Sequence, residues 1–278
     1  MGSNGTLRQR RLGRELRRLR EDAGLSLEEA APQLDWSASK LSRIETGSQG
    51  VDVHGVRSML DLYDVGGERW TEIIELTREA RQKRWWHAYG LSNQGYLALE
   101  ADAAVVHAYQ LGFVPGLLQT AGYARALFRD FRPQRTDEEL DRHVKIRLLR
   151  QRRFTEDPPL ELVAVVDETV LHRPVGGAQV MREQLCHLVR QAAHPLVCLQ
   201  VLPASAQTHT GQSGSFNVLE FGEPDEPAIA YLEHAVNAMH VHKEAEVREY
   251  KLIFDRLRSV ALSPSDSMAL VERLANDP

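Results

Sequence analysis

Cysteine is nearly absent from this sequence: Cys186 and Cys198 are the only two in 278 residues. They lack CxxC spacing, so they read as reduced, inert thiols rather than as a redox or catalytic pair. Long apolar runs are missing as well. No stretch approaches the roughly 20 apolar residues that a membrane helix needs, and no charged-then-apolar segment opens the chain, so a cytoplasmic protein is expected. A phosphate-binding loop is also lacking, because Gly211-Gln212-Ser213-Gly214 has neither the lysine nor the following helix of such a motif. There is no internal repeat and no low-complexity tract. Charge of a single sign does not dominate the chain, but the balance shifts along it. Residues 1–84 hold 15 Lys and Arg against 14 Asp and Glu, a net of +1, which leaves 19 against 25, a net of −6, for the remainder. Only the first part suits a polyanionic partner.

What is present is concentrated in 25–47, LSLEEAAPQLDWSASKLSRIETG. Ser26 is placed to cap a helix with its hydroxyl while Glu29 reaches back to the Ser26 amide, which predicts a helix starting at Leu27. Leu27, Ala30, Ala31 and Leu34 recur at helical spacing, and after Asp35-Trp36 the hydroxyl of Ser37 is placed to cap a second helix. The connecting turn is then about three residues long, as a helix-turn-helix requires. In the second helix Leu41 and Ile44 point inward, which leaves Ala38, Ser39, Ser42 and Arg43 on the outer face. Small residues, hydroxyls and an arginine that can grip guanine form the surface that a helix entering the major groove needs. Gly47 supplies a left-handed C-cap. Upstream, Arg8, Arg10, Arg11, Arg14, Arg17, Arg18 and Arg20 stand against Glu15 alone and offer phosphate-facing charge.

At these residues the sequence resembles the xenobiotic-response-element class of helix-turn-helix regulators, which is related to phage repressors. LGRELRRLREDAGLS resembles the first helix of that class and VDVHGVRSMLDLYDV its fourth, so the likeness covers roughly 9–65. The resemblance implies that Ala38, Ser39, Ser42 and Arg43 read bases and that Lys40 and His54 reach phosphates. It also implies that Arg20 touches the DNA backbone while Glu45 holds it. Leu27 departs from the pattern, because many relatives carry a phosphate-bonding glutamine there.

The length predicts about two domains. The boundaries expected are 1–66 for an all-α helix-turn-helix domain, 67–86 for a connecting helix and 87–278 for an α+β domain. The connecting helix carries the stripe Trp70, Ile73, Ile74, Thr77 and Ala80, and runs toward Trp85 and Trp86 as packing anchors. Beyond it, 99–109, 137–154, 176–193 and 241–257 read as helices. Strands are expected at 160–166, 196–202, 216–221 and 228–232, which makes a mixed, roughly four-stranded sheet packed by helices. The first strand pair suits a crossover connection and the later strands a meander.

The motifs PGLLQT, RLLRQRRF, VVDETVLHRPVGG, LQVLP, GSFNVLEF and YLE extend the resemblance over roughly 85–275 to the C-terminal domain of the WhiJ-like regulators of actinobacteria. That likeness implies a small acidic BldB-like protein as partner, in an arrangement like that of antitoxin and toxin. From the residues themselves, Leu117, Leu118 and Gln119 suit either the rim of a ligand pocket or a proline-started turn with core leucines. Arg147 and Gln151 share a helix face that suits an anionic ligand or an acidic partner, or else a solvated surface. Asp167, Glu168 and His172 match no triad or metal template, and caps and turn bonds account for them. Glu233, His234, His240, His242 and Glu244 carry metal-ligand chemistry, but His240 and His242 share a face only in a strand. No metal, cofactor or catalytic site is therefore expected. The expected protein is a homodimeric, sequence-specific transcriptional regulator that binds double-stranded, palindromic operator DNA and senses a small molecule or protein partner. The alternative is an antitoxin-like protein whose DNA binding is autoregulatory.

Overall fold

The computed structural model describes residues 7–81, 95–206, 208–222, 226–234 and 236–276, and the chain divides into two compact units, 1–94 and 95–278. The first unit is helical: α1 (Leu7–Asp22), α2 (Leu27–Gln33), α3 (Ala38–Glu45), α4 (Val53–Leu62) and α5 (Gly67–Arg81). Its core joins Leu12 and Leu16 of α1 to Ala30, Ala31, Leu41, Ile44, Val56, Met59 and Leu60. α5 adds Ile73, Ile74, Leu76 and Ala80 to that same core. The stretch expected to connect two domains thus begins as a fifth helix packed on α1 and α4. Its far end, with Trp85 and Trp86, lies outside the described residues.

Local signals fix the ends of these helices. Ser26 and Glu29 form the expected capping box: the Glu29 amide donates to Ser26 Oγ at 3.2 Å and the Ser26 amide to Glu29 Oε2 at 2.9 Å. The Lys40 amide donates to Ser37 Oγ at 3.2 Å, so α3 begins where its hydroxyl predicts. Between them Asp35 turns the chain with a φ of 54°, a left-handed conformation that aspartate tolerates better than most residues. Gly47 follows α3 with a φ of 72°, and a Cβ there would also lie 2.7 Å from the Arg10 Cα. Glycine is required twice over at this position.

The second unit is a mixed sheet with helices. Its strands are β1 (Ala103–Gln110), β2 (Glu161–Asp167), β3 (Val197–Leu202), β4 (Phe216–Phe221), β5 (Ile229–Glu233) and β6 (Ala238–Val241), in the spatial order β3-β2-β1-β4-β5-β6. β1 and β3 flank β2 in parallel, as βαβ connections allow, and β4, β5 and β6 continue from β1 as an antiparallel meander. The helices are α6 (Gly95–Asp102), α7 (Ala121–Phe131), α8 (Asp137–Arg150), the single turn α9 (Thr169–His172), α10 (Ala178–Ala192), α11 (Glu244–Val260) and α12 (Pro264–Asn276). On one face Val247, Phe254 and Leu257 of α11 pack against Tyr109, Val163, Val165, Val218 and Ala230. α12 is tied to β3 where the Val201 amide donates to Ser267 Oγ at 2.9 Å.

Six strands replace the expected four. The helix read over 99–109 ends at Asp102, and AAVVHAYQ continues as β1. Alanine in its first half favours a helix reading, and burial between β2 and β4 overrides that local tendency. The helix read from residue 241 instead begins at Glu244, because 238–241 pairs with β5 as a short edge strand. Three of its four residues are exposed, so no apolar alternation marks it in the sequence.

Candidate nucleic-acid interface and the loop of the second unit

α3 presents its reading face because α1 holds its C-terminal end. Gly13 of α1 lies so close to this end that a Cβ would sit 2.5 Å from the Glu45 carbonyl oxygen and 2.6 Å from that of Ile44. Beside this contact Arg20 Nε donates to Glu45 Oε1 at 2.7 Å, Nη2 donates to Oε2 at 2.9 Å, and Nη1 donates to the Leu25 carbonyl at 2.6 Å. The hydrogen bond it donates to Glu45 raises the Arg20 guanidinium above its ordinary value, against the opposing effect of burial. Both residues are 5 % exposed, so Arg20 acts as a clamp between helices.

With that end fixed, Leu41 and Ile44 are buried and the opposite side faces outward. Ser39 and Arg43 are exposed, and Ala38, Lys40 and Ser42 are partly exposed. Arg43 Nε donates to Gln49 Oε1 at 3.1 Å, which spends one donor on the loop and leaves both Nη groups free of that bond. Lys40 Nζ stands 3.9 Å over the Trp36 ring, and Trp36 in turn packs against Gly55 of α4, where a Cβ would lie 3.1 Å away. Asp52 Oδ1 accepts from the Gly55 amide at 2.7 Å and caps α4, with His54 exposed in its first turn. Ser39, Arg43, Lys40 and His54 therefore belong to one helical unit with fixed helix ends. Gln49 and Trp36 escape the sequence reading, because nothing in the spacing tells that a loop amide and a turn aromatic orient the two cations.

In the second unit, Leu117, Leu118 and Gln119 are buried. Gln119 Nε2 donates to the Val114 carbonyl at 2.7 Å, Gln151 Nε2 donates to the Gln119 carbonyl at 2.7 Å, and Arg147 Nη1 donates to Gln119 Oε1 at 2.9 Å. All five residues named from sequence thus meet around one loop. Gln184 of α10 completes it, accepting from the Thr120 amide and donating to the Leu118 carbonyl, each at 2.7 Å. One turn along α8, Arg150 Nε and Nη2 each donate at 2.6 Å to the two carboxylate oxygens of Glu100, which is 1 % exposed. Neither Gln184 nor Glu100 carries a sequence signal, since each is recruited by a partner at least fifty positions away.

Asp167 Oδ1 accepts from the Thr169 amide at 3.0 Å, Glu168 Oε2 accepts from the Ala204 amide at 2.7 Å, and His172 Nε2 stands 3.5 Å from Glu168 Oε1. The two acids bind backbone at the end of β2. His240 in β6 and His242 just beyond it stack with centroids 6.3 Å apart, on one face as a strand demands. Among the described residues no group of three His, Cys, Asp or Glu side chains is placed to hold a metal. Cys186 and Cys198 are free thiols. Among the described residues no helix is long and apolar enough to cross a membrane.

A family described as a helix-turn-helix domain matches residues 11–72. A second, the domain of unknown function DUF5753, matches residues 94–273. No curated protein and no solved structure matches the chain.

Proposed function

The chain belongs to the DUF5753 family, and on that premise, with a helix-turn-helix DNA-binding domain ahead of the family domain, we propose that it is a sequence-specific transcriptional regulator of the xenobiotic-response-element class whose second unit senses a small molecule or protein partner. The observation that carries the reading is the exposed pair Ser39 and Arg43 on a helix whose opposite face and C-terminal end are fixed by core and clamp. A homodimer places two such helices about 34 Å apart on a palindromic operator. Ser39, Ser42 and Arg43 face base edges beside Ala38, Lys40 and His54 face phosphates, and Arg20 acts through Glu45. The protein is not an enzyme in this reading.

Selection of full-length protein against random-sequence double-stranded DNA tests it. A palindromic consensus that the Arg43→Ala and Ser39→Ala proteins bind more weakly is expected, and failure to enrich any sequence overturns the reading. The exposed cations Arg142, Lys145 and Arg152 on and just after α8 favour a second form of it, in which the family domain holds a small acidic BldB-like protein as an antitoxin would. Co-purification of a stoichiometric small acidic protein with the full chain separates that form from a small-molecule sensor.

A further inference from the structure

Arg147 and Arg150 lie one turn apart on α8, and their guanidinium groups converge on the backbone of Gly116. A Cβ at Gly116 would lie 2.5 Å from Arg147 Nη1 and 3.0 Å from Arg150 Nη2. Arg150 is neutralised by the two-point contact with Glu100. Arg147 has no such partner. Among the described residues no carboxylate bonds it, and the one hydrogen bond it makes goes to the neutral Gln119 Oε1. The nitrogen of that amide donates to the Val114 carbonyl. Glu233 is near enough to be felt by both arginines and bonds neither.

Glu233 offsets the charge of both arginines from beyond bonding distance, so the fork of Arg147 is left without a bonded carboxylate among the described residues. A partly buried guanidinium in that position gains from an anion that bonds it. Burial, and next the repulsion of Arg150, pull the Arg147 guanidinium down to about 9. Arg150 moves the other way: burial opposes its charge, but Glu100 lifts it above its ordinary value. The surroundings are partly aromatic. Phe128 lies under the Arg147 guanidinium at 5.0 Å and Tyr96 near that of Arg150 at 5.6 Å. Arg147 remains partly exposed.

We propose that Arg147 anchors a binding site for a small organic carboxylate, with the guanidinium fork taking the carboxylate and the aromatic surroundings favouring an apolar body. A single guanidinium fork with two carboxylates already near it suits a monoanion better than a dianion such as sulfate. The site gives the sensing reading above its ligand class, and rests on that reading only for its effect on DNA.

The test is calorimetric titration of the full chain with sodium benzoate and with sodium sulfate at constant ionic strength, alongside thermal unfolding. One saturable benzoate site and a raised unfolding midpoint are expected, with at least a tenfold loss of affinity in Arg147→Gln. Absence of saturable benzoate binding, equal binding of sulfate, or an unchanged affinity in the variant overturns the site. Should Arg147→Gln not fold, Arg147→Lys keeps the charge without the fork and is expected to show the same loss. Phenylglyoxal modification of wild-type Arg147, followed by peptide mass mapping, gives a readout without any variant: slowing by benzoate supports the site and indifference overturns it. Benzoate binding that leaves DNA affinity unchanged upholds the site and overturns the sensing reading.

Discussion

Arg20 and Glu45 meet through two parallel hydrogen bonds and tie the last turn of α1 to the last turn of α3, twenty-five positions apart in the chain. Removal of Arg20 leaves the buried Glu45 carboxylate without its partner, and removal of Glu45 leaves Arg20 only the more distant Glu21 carboxylate, 3.6 Å away. Arg20→Met or Glu45→Met is expected to destabilise the first unit by about 3–5 kcal/mol, and the double variant by clearly less than the sum. Thermal unfolding of the four proteins, followed by circular dichroism, checks this.

Gly47 and Gly24 share a φ of 72° but not their surroundings, since a Cβ at Gly24 would meet nothing within 4 Å. Gly24→Ala is expected to cost about 1 kcal/mol from the backbone alone. Gly47→Ala should cost clearly more, because its methyl also meets the backbone of Arg10. Equal midpoint shifts in denaturant titration would show that the close approach relaxes.

Lys40, Arg43 and Gln49 should separate in DNA binding. Lys40→Ala is expected to weaken binding to all sequences alike and to reduce the salt slope by about 1, whereas Arg43→Ala should cost about 1–3 kcal/mol and relax base choice at one position. Gln49→Ala keeps the cation but loses its orienting hydrogen bond, so it should lower discrimination at the Arg43 base without changing the salt slope. Fluorescence anisotropy at several salt concentrations, on the selected site and on single-base variants, resolves the three.

The second unit should lose stability as pH falls below about 6.5. His107, His143 and His187 are each held below their ordinary values, in every case chiefly by burial. For His107 the nearby Glu220 opposes that effect, whereas Lys251 adds to it. The unfolded chain therefore takes up a proton first, and stability present above pH 6.5 declines until the folded protein protonates too. Each histidine contributes at most about 1.4 kcal/mol per pH unit within that window. His187 Nε2 is buried without a hydrogen-bond partner, so His187→Leu should flatten the dependence while leaving the midpoint at pH 8 unchanged or raised. Unfolding midpoints measured from pH 5 to 8 test this.

The parts of the fold legible in the sequence are those fixed by neighbours a few residues away. The capping box of Ser26 and Glu29, the cap of Ser37 and the glycine after α3 all act within one helical turn, so spacing alone reveals them. The strands β2 to β5 are equally open to reading, since 162–166 is a continuous buried apolar run and the others are bounded by turns. β1 and β6 are not, because one owes its conformation to strands on both sides and the other is a four-residue edge. The candidate interface follows the same rule. Ser39 and Arg43 are visible from helical periodicity, but Gln49 enters only once the loop after α3 folds back. Around Gln119 the residue types are legible, and the unequal pairing of the two arginines is not, because Glu100 bonds Arg150 and not Arg147 through tertiary packing.

β1 occupies the middle of the sheet, yet it is the first strand to leave the ribosome. Its parallel neighbour begins at Glu161 and its antiparallel one at Phe216, so more than a hundred residues must follow before both edges of β1 are paired. The core of the first unit, by contrast, is drawn from residues 12–80, all of them synthesised before β1. During synthesis the DNA-reading unit can therefore be complete while β1 is still an open edge, and that interval is when the nascent chain is most exposed to mispairing.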